Sequence, residues 1–421
     1  MGTRTSRLPA AFQKLWLSDT LTTFGDGFTM IAAPLLMTTL TRSPLLIAGG
    51  AAAQLVPWLI FGLFSGAIVD RVDQRRLIMV IDTLRAVCLL TLGLLVVTDS
   101  ASVPTVYLLL FLSGFGDTFV VTAGSALVPR LVDRPELTRA NARLTATRLI
   151  GGTLVARPIG AWLFSVHRGA PFLVDAASFL AGVLLLIKLP VRPLANGSTE
   201  DSRLAIASLG SNVRVGLAVL WRDVILRTLA QCIFVMNLTL AATMAILVLY
   251  ARDRLGLHPA GYGTLLSTLA VGGLIGTAIV DPARRRFGAT VLLKIGLLIE
   301  AGTQLALALT HSGWVAGIAL AIFGVHGAVW TVLTVSLRQE RVSDEVRGRV
   351  MAAYMVLSVG GAALGSVLGG ALVEMDGIAT PMWFGAIVVF VAFLVALPVL
   401  RASAIDHVDR PNSPATEPAT G

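Results

Sequence analysis

The sequence predicts an all-α membrane protein built as two matched bundles of six helices. Three observations carry this: an apolar composition, about twelve apolar segments of membrane-crossing length, and an internal repeat. Of 421 residues, 55% are hydrophobic and 14% are charged, and the mean hydropathy is +0.81. Soluble domains carry roughly 25% charged residues, so one soluble core would not hide these side chains. A bilayer would, and a helix needs about 20 mainly apolar residues to cross it.

In chain order, the first six segments fall near 15–40, 44–69, 77–97, 103–127, 142–165 and 171–189. The second six fall near 224–250, 260–281, 289–309, 313–337, 348–373 and 381–400. These runs are too long and too closely spaced for a β-barrel. The first holds Asp19 and Asp26 and lacks a clear cleavage site, so a cleaved signal peptide is not expected. Cys88 and Cys232 both fall inside spans, which argues against a disulfide framework.

Lys and Arg resist translocation and set orientation. With the N-terminus inside, the cytoplasmic loops take nearly all the basic residues, from Arg4 and Arg7 to Arg401 and Arg410. The outside keeps only Arg42, Arg168, Arg252 and Arg254. Both termini are therefore expected in the cytoplasm, in the plasma (inner) membrane. The +9 net charge is scattered over short loops and fits topology and contact with anionic lipids. Nucleic acid is not an expected partner.

The one long internal loop contains "RPLANGSTEDSR", followed by "LGSNVRVGLAVLWRD", which fits an amphipathic surface helix. The expected organisation is a half at 1–190, a loop at 191–222, a half at 223–400, and a disordered tail at 401–421. The halves repeat: Glu136 aligns with Glu345, Gly151–Gly152 with Gly360–Gly361, and Gly160 with Gly369. At nearly the same offset, "GAIVDRVDQRR" matches "GTAIVDPARRR". Matched membrane halves suggest a transporter that rocks around a central site.

The loop after the second segment carries Gly66, Asp70, Arg71, Arg75 and Arg76. Their spacing resembles the Gly-x-x-x-Asp-Arg-x-Gly-x-Arg-Arg signature of the major facilitator superfamily, with Asp73 in place of the second glycine. Within that superfamily the chain is similar to bacterial drug and siderophore exporters. It shares "GDG" at Gly25–Gly27 followed by Pro34, the run from Pro129 to Asn141, and "RGRV" at Arg347–Val350. It departs from antiporters of this type in the fifth segment. There "ARPIGAW" keeps Pro158 but puts Arg157 where glycine is usual, and Ala161 and Trp162 follow Gly160.

The resemblance implies the major facilitator fold, two six-helix bundles around a central cavity, expected as a monomer. It implies proton-coupled efflux of a small organic molecule such as an antibiotic, drug or siderophore. The alternative is a proton-coupled uptake symporter. No enzyme is expected: no metal cluster, nucleophile–base pair or phosphate-binding loop stands out, and no cofactor is called for.

Charges at bilayer depth are costly and mark function by default. Asp26, Asp117, Arg157, Glu300 and His326 fall near mid-span. In the family the first, fourth, seventh and tenth spans line the cavity, which places Asp26, Asp117 and His326 there, with Arg157 on the adjacent fifth. Asp26, Asp117 and Arg157 are expected at similar depth as one cluster. Burial disfavours an ionised carboxylate and a nearby arginine favours it. Two acids and one arginine leave one negative charge for a proton or a cationic substrate. Structural alternatives stay open. Asp26 would bond Thr22 or Thr23, Asp117 and Arg157 would be only an ion pair, His326 would be neutral, and Glu300 would sit at the bundle edge. Asp82 and Arg85, on one face, are expected to pair with each other. By resemblance, Asp70 is expected to bond the start of the eleventh span near Ser343–Arg349 as a cytoplasmic latch.

Overall fold

A computed structural model of the chain describes residues 8–187, 189 and 209–400. Arg4, Arg7, the polar loop with Arg192 and Arg203, and the tail from Arg401 lie outside the described residues. Among the described residues all regular structure is helical. The first six spans are α1 (Ala10–Leu40), α2 (Pro44–Val69), α3 (Gln74–Val97), α4 (Val103–Leu131), α5 and α6 (Ala170–Leu186). Helix α5 is composite: Leu137–Ala146, a widened π-helical stretch Thr147–Val155, then Ala156–Val166. A surface helix Leu209–Arg222 leads into α7 (Val224–Ala245), which continues through Leu247–Leu249 to a π-turn at Tyr250–Arg254.

A 51-residue helical run, Pro259–Leu309, breaks at Gly288 with φ 76° and ψ 157°. Glycine reaches that conformation without steric penalty, and it separates α8 (259–287) from α9 (289–309). Then come α10 (Gly313–Arg341), α11 (Asp344–Asp376) and α12 (Thr380–Ala396). Eight helices are long and apolar enough to cross a membrane, counting Pro259–Leu309 once. The 31-residue α1 is diluted by its charges, and α6 and α12 are shorter apolar helices. With these and the two arms at Gly288, every expected span has its helix.

Local chemistry sets the ends. Pro44 opens α2 behind Ser43, whose hydroxyl accepts from the Leu46 amide at 3.3 Å. Asp73 caps α3 through the Arg76 amide at 3.0 Å. Asp223 caps α7 by accepting from the Ile225 and Leu226 amides at 2.8 and 3.0 Å. Such caps satisfy backbone donors that the helix leaves unpaired.

The repeated glycines do the same job in each half. Gly151, Gly152 and Gly160 on α5 abut Phe24, Thr23 and Phe28 on α1. Gly361, Gly365 and Gly369 on α11 abut the Phe234, Leu238 and Ala242 carbonyls on α7. Gly272 and Gly276 on α8 meet the Ala321 and Val325 backbone on α10. Small residues let membrane helices approach where no hydrophobic force separates protein from lipid. Ala161 also packs closely, buried against Gly263 of α8, while Trp162 points outward at 57% exposure. Across the halves, α2 packs on α11 and α5 packs on α8. The surface helix lies on α11, with Gly216 against the Arg349 carbonyl.

Candidate functional site

Helix α1 carries Asp26 between Gly25 and Gly27, and both glycines are buried against neighbours. Gly27 faces Ala156 and the Gly152 carbonyl of α5, and Gly25 faces Asp175 of α6. Asp26 is thereby held at the seam of α1, α5 and α6. Its carboxylate binds the Arg85 guanidinium of α3, Nη2 to Oδ1 at 2.6 Å. The other terminal nitrogen of Arg85 lies 3.8 Å from Asp117 Oδ1 on α4. Trp58 of α2 donates its indole N–H to Asp117 Oδ2 at 3.1 Å. The Arg85 side chain is 5% exposed and the two carboxylates 36%. The cation is therefore the buried floor, and the acids face a cavity of about 190 Å³.

Two neighbours steer Arg85 there. Gly116 gives room for its stem, since a Cβ at that position would come 2.8 Å from Arg85 Cδ. The Phe179 ring covers the guanidinium, with 4.4 Å from Cζ to the ring centroid, a favourable cation–π geometry. Arg85 thus does not pair with Asp82 as the sequence suggested. Asp82 is 2% exposed with its Oδ1 unpartnered among the described residues. Sharing a helix face set the backbone positions, but the long Arg85 side chain reaches the two acids across the bundle instead.

The expected trio is also corrected in its cation. Arg157 lines the same cavity as Asp26 and Asp117, but it makes no ion pair with either. Among the described residues its Nη2 meets only the Met30 sulfur at 3.7 Å, and its Nε has no partner. Asp26 does not bond Thr22 or Thr23, whose neighbours lie elsewhere. Sequence reasoning also missed three polar contacts that frame the site. Asp19 pairs with Arg148 at 3.0 Å. Buried Asp175 accepts from Thr29 Oγ1 at 2.5 Å, and Trp58 anchors Asp117. Asp19 was visible as a second acid two turns from Asp26; the Trp58 contact left no signal.

His326 and Glu300 are not on this site. They lie between α9 and α10, 3% and 0% exposed, with Nε2 to Oε2 at 3.4 Å. The imidazole is flanked edge-on by Phe323 and Trp330 and backed by Gly296. Neither residue lines the cavity that Asp26 and Asp117 face. The structure does not put His326 in the cavity, as its span suggested, and Glu300 lies inside the bundle rather than at its edge: each buried polar group finds its partner one helix away.

A second, mostly apolar cavity of about 310 Å³ lies between the halves. Helices α1, α2, α4 and α5 form one wall and α7, α8 and α11 the other, and Arg157 borders it as well. At the end away from the termini, the halves are joined. Glu374 of α11 accepts from Ser43 Oγ at 2.5 Å and from the Leu45 amide at 3.3 Å. Gly370 sits directly on Leu45 and Ala48. At the opposite end, Asp70 is exposed and its carboxylate has no polar contact among the described residues, so the expected bond near Ser343–Arg349 is not made here. Gly66 has open space around it, and Arg71 and Arg76 are exposed. Arg75 instead caps α6, donating from Nε to the Leu186 carbonyl at 2.7 Å and from Nη1 to Leu189 at 3.0 Å.

A family model described as "Transmembrane secretion effector" matches residues 7–419. The multidrug efflux pump Tap of Mycolicibacterium fortuitum is 26% identical over 399 residues, covering 92% of this chain and 95% of that one. The enterobactin exporter EntS of Shigella boydii serotype 4 (strain Sb227) is 26% identical over 409 residues, covering 93% and 92%. Among solved structures, a point mutant of the nucleoside transporter NupG superposes with a TM-score of 0.76. Its identity is 13%, over 93% of this chain and 100% of that one. A bacterial homologue of the iron transporter ferroportin, in an inward-facing state, gives 0.71 at 15% identity, over 93% and 98%. With this match along nearly its whole length and this fold, the chain belongs to the transmembrane secretion effector family of the major facilitator superfamily, a multi-pass membrane transporter.

Proposed function

We propose that the protein exports small organic molecules from the cytoplasm in exchange for protons. The observation that carries this is the Asp26–Arg85–Asp117 cluster: two carboxylates facing a cavity and one buried guanidinium between them. The cluster holds one uncompensated negative charge when both acids are ionised. Burial makes that charge costly, so a proton relieves it. Uptake of that proton from one side and its release to the other, as the cavity alternates, couples its movement to that of the substrate. The full-length similarity to an efflux pump and a siderophore exporter supports the outward direction.

The concentration of basic residues on the loops at the termini end supports a cytoplasmic location for both termini. The long loop at 191–222 and the aligned glycines support two halves at 1–190 and 223–400, and a monomer is sufficient to build the cavity. In this orientation the Ser43–Glu374 contact closes the outer side and the free Asp70 marks an open inner side. When the inner side closes, Asp70 reaches the N-terminus of α11, where free amides and the helix dipole favour a carboxylate.

The test is accumulation in everted vesicles of cells that express this chain, using a panel of antibiotics and siderophores under an imposed pH gradient. Export predicts uptake into the vesicles that collapses when the gradient is dissipated. Gradient-independent equilibration, or no flux of any compound, refutes it.

A further inference from the structure

We propose that Arg157 is the anchor for an acidic group, and that the substrate is an amphiphilic organic anion: an apolar body bearing a carboxylate or a similar acid. This rests on the inter-half cavity being the substrate site. Arg157 borders both that cavity and the acidic one beside it. Arg85 is shared between Asp26 and Asp117, whereas Arg157 contacts no carboxylate among the described residues. Its Nε is buried without a partner, and Nη2 has only a thioether, a weak acceptor. A half-buried guanidinium whose Nε is shielded from water without a counter-charge is held at a cost. An acid that enters transiently would recover that cost and bind two nitrogens in the fork geometry arginine favours.

The position is fixed from the backbone. Gly263 of α8 lets that helix touch α5 at the Arg157 carbonyl and Pro158, both at 3.1 Å from where its Cβ would be. Arg157 thus stands where the halves meet, so an anion held there contacts the seam that must open. The rest of the larger cavity wall is apolar and adaptable, with Met37, Met244, Leu110 and Leu266, and few polar groups such as Gln54 and Tyr262. That lining suits an aromatic or aliphatic body. Asp26 and Asp117 line the smaller cavity and not this one, while Arg157 borders both.

Three probes share one apolar body: naphthylacetate, naphthylethanol and naphthylethylammonium. Saturable binding of each tritiated probe to the purified full-length protein is measured by scintillation proximity. The acetate should bind at least about tenfold tighter than the alcohol, the scale of one charge-assisted contact, and the ammonium should bind weakest. Arg157→Gln should bring the acetate down to the affinity of the alcohol, and Arg157→Lys should keep part of the preference. Equal affinities, a preference for the ammonium, or no saturable acetate binding would overturn the proposal. So would a loss of alcohol binding as large as the loss of acetate binding in both variants, which marks a structural role. Gradient-driven accumulation without any anion preference would leave export standing and remove the anchor. An Arg157-dependent preference without accumulation would do the reverse.

Discussion

Asp26 and Arg85 meet at 2.6 Å although they lie on different helices, and Arg85 also reaches toward Asp117. One buried guanidinium therefore serves two acids. Arg85→Gln should strand both and lower the melting temperature, because two half-buried acids lose the cation they share. A variant that also carries Asp26→Asn should melt higher than Arg85→Gln alone. By contrast, Arg157→Leu and Asp117→Leu form no pair, and their effects on melting temperature should add more nearly. Stronger coupling between Arg157 and Asp117 than between Arg85 and Asp26 would contradict this geometry.

Asp26→Asn mimics the protonated acid permanently. It should reach the membrane at near wild-type levels and still exchange substrate downhill. In everted vesicles it should fail to concentrate substrate when the pH gradient is imposed. Retained gradient-driven accumulation would shift the coupling role to Asp117.

The Glu300–His326 pair is buried away from both cavities. Replacing both residues by apolar side chains, Glu300→Leu with His326→Leu, should leave a better-folded protein than His326→Leu alone, because the single change leaves an unpaired buried acid. Gradient-driven accumulation per folded molecule in the double variant should stay within about twofold of wild type, roughly 0.4 kcal/mol. A complete loss with intact folding would place this pair in the coupling mechanism.

Glu374→Gln should weaken the junction at the far end, since the charge-assisted bonds to Ser43 and Leu45 are lost. Spin labels at two exposed positions, Arg42 in the loop after α1 and Asp376 at the end of α11, should report a larger population of long distances by double electron–electron resonance. Asp70→Asn should move the same distribution the other way only if the Asp70 latch forms in the opposite state. An unchanged distribution in Glu374→Gln would show that the glycine contact at Gly370, not the carboxylate, holds this end.

Much of the fold was legible because each span is an apolar run bounded by Pro, Gly or capping residues, and because the repeat placed glycines at matched positions. Asp26 and Asp117 were legible at the cavity because an acid at bilayer depth has few other reasons to be there. Arg85 was not read as their partner. Its three-residue spacing from Asp82 offered a local pair, and sequence depth takes no account of how far an arginine stem reaches. The Gly116 gap that makes its route possible shows only once α3 and α4 are packed. Ser43 and Glu374 were invisible for another reason. They are 331 residues apart, and each is an ordinary loop-end residue until the two halves meet.

The ion-pair network and the apolar cavity are separate neighbourhoods, with Arg157 bordering both. Exchanges among Met37, Leu55, Leu110, Met244 and Leu266 would reshape the larger space without altering a single charge. Methionine at two of these positions makes such reshaping inexpensive, because its unbranched side chain refills irregular gaps. A lineage can therefore wander through many chemical repertoires by neutral drift in one neighbourhood while the proposed coupling site, seated in the other, is inherited unchanged.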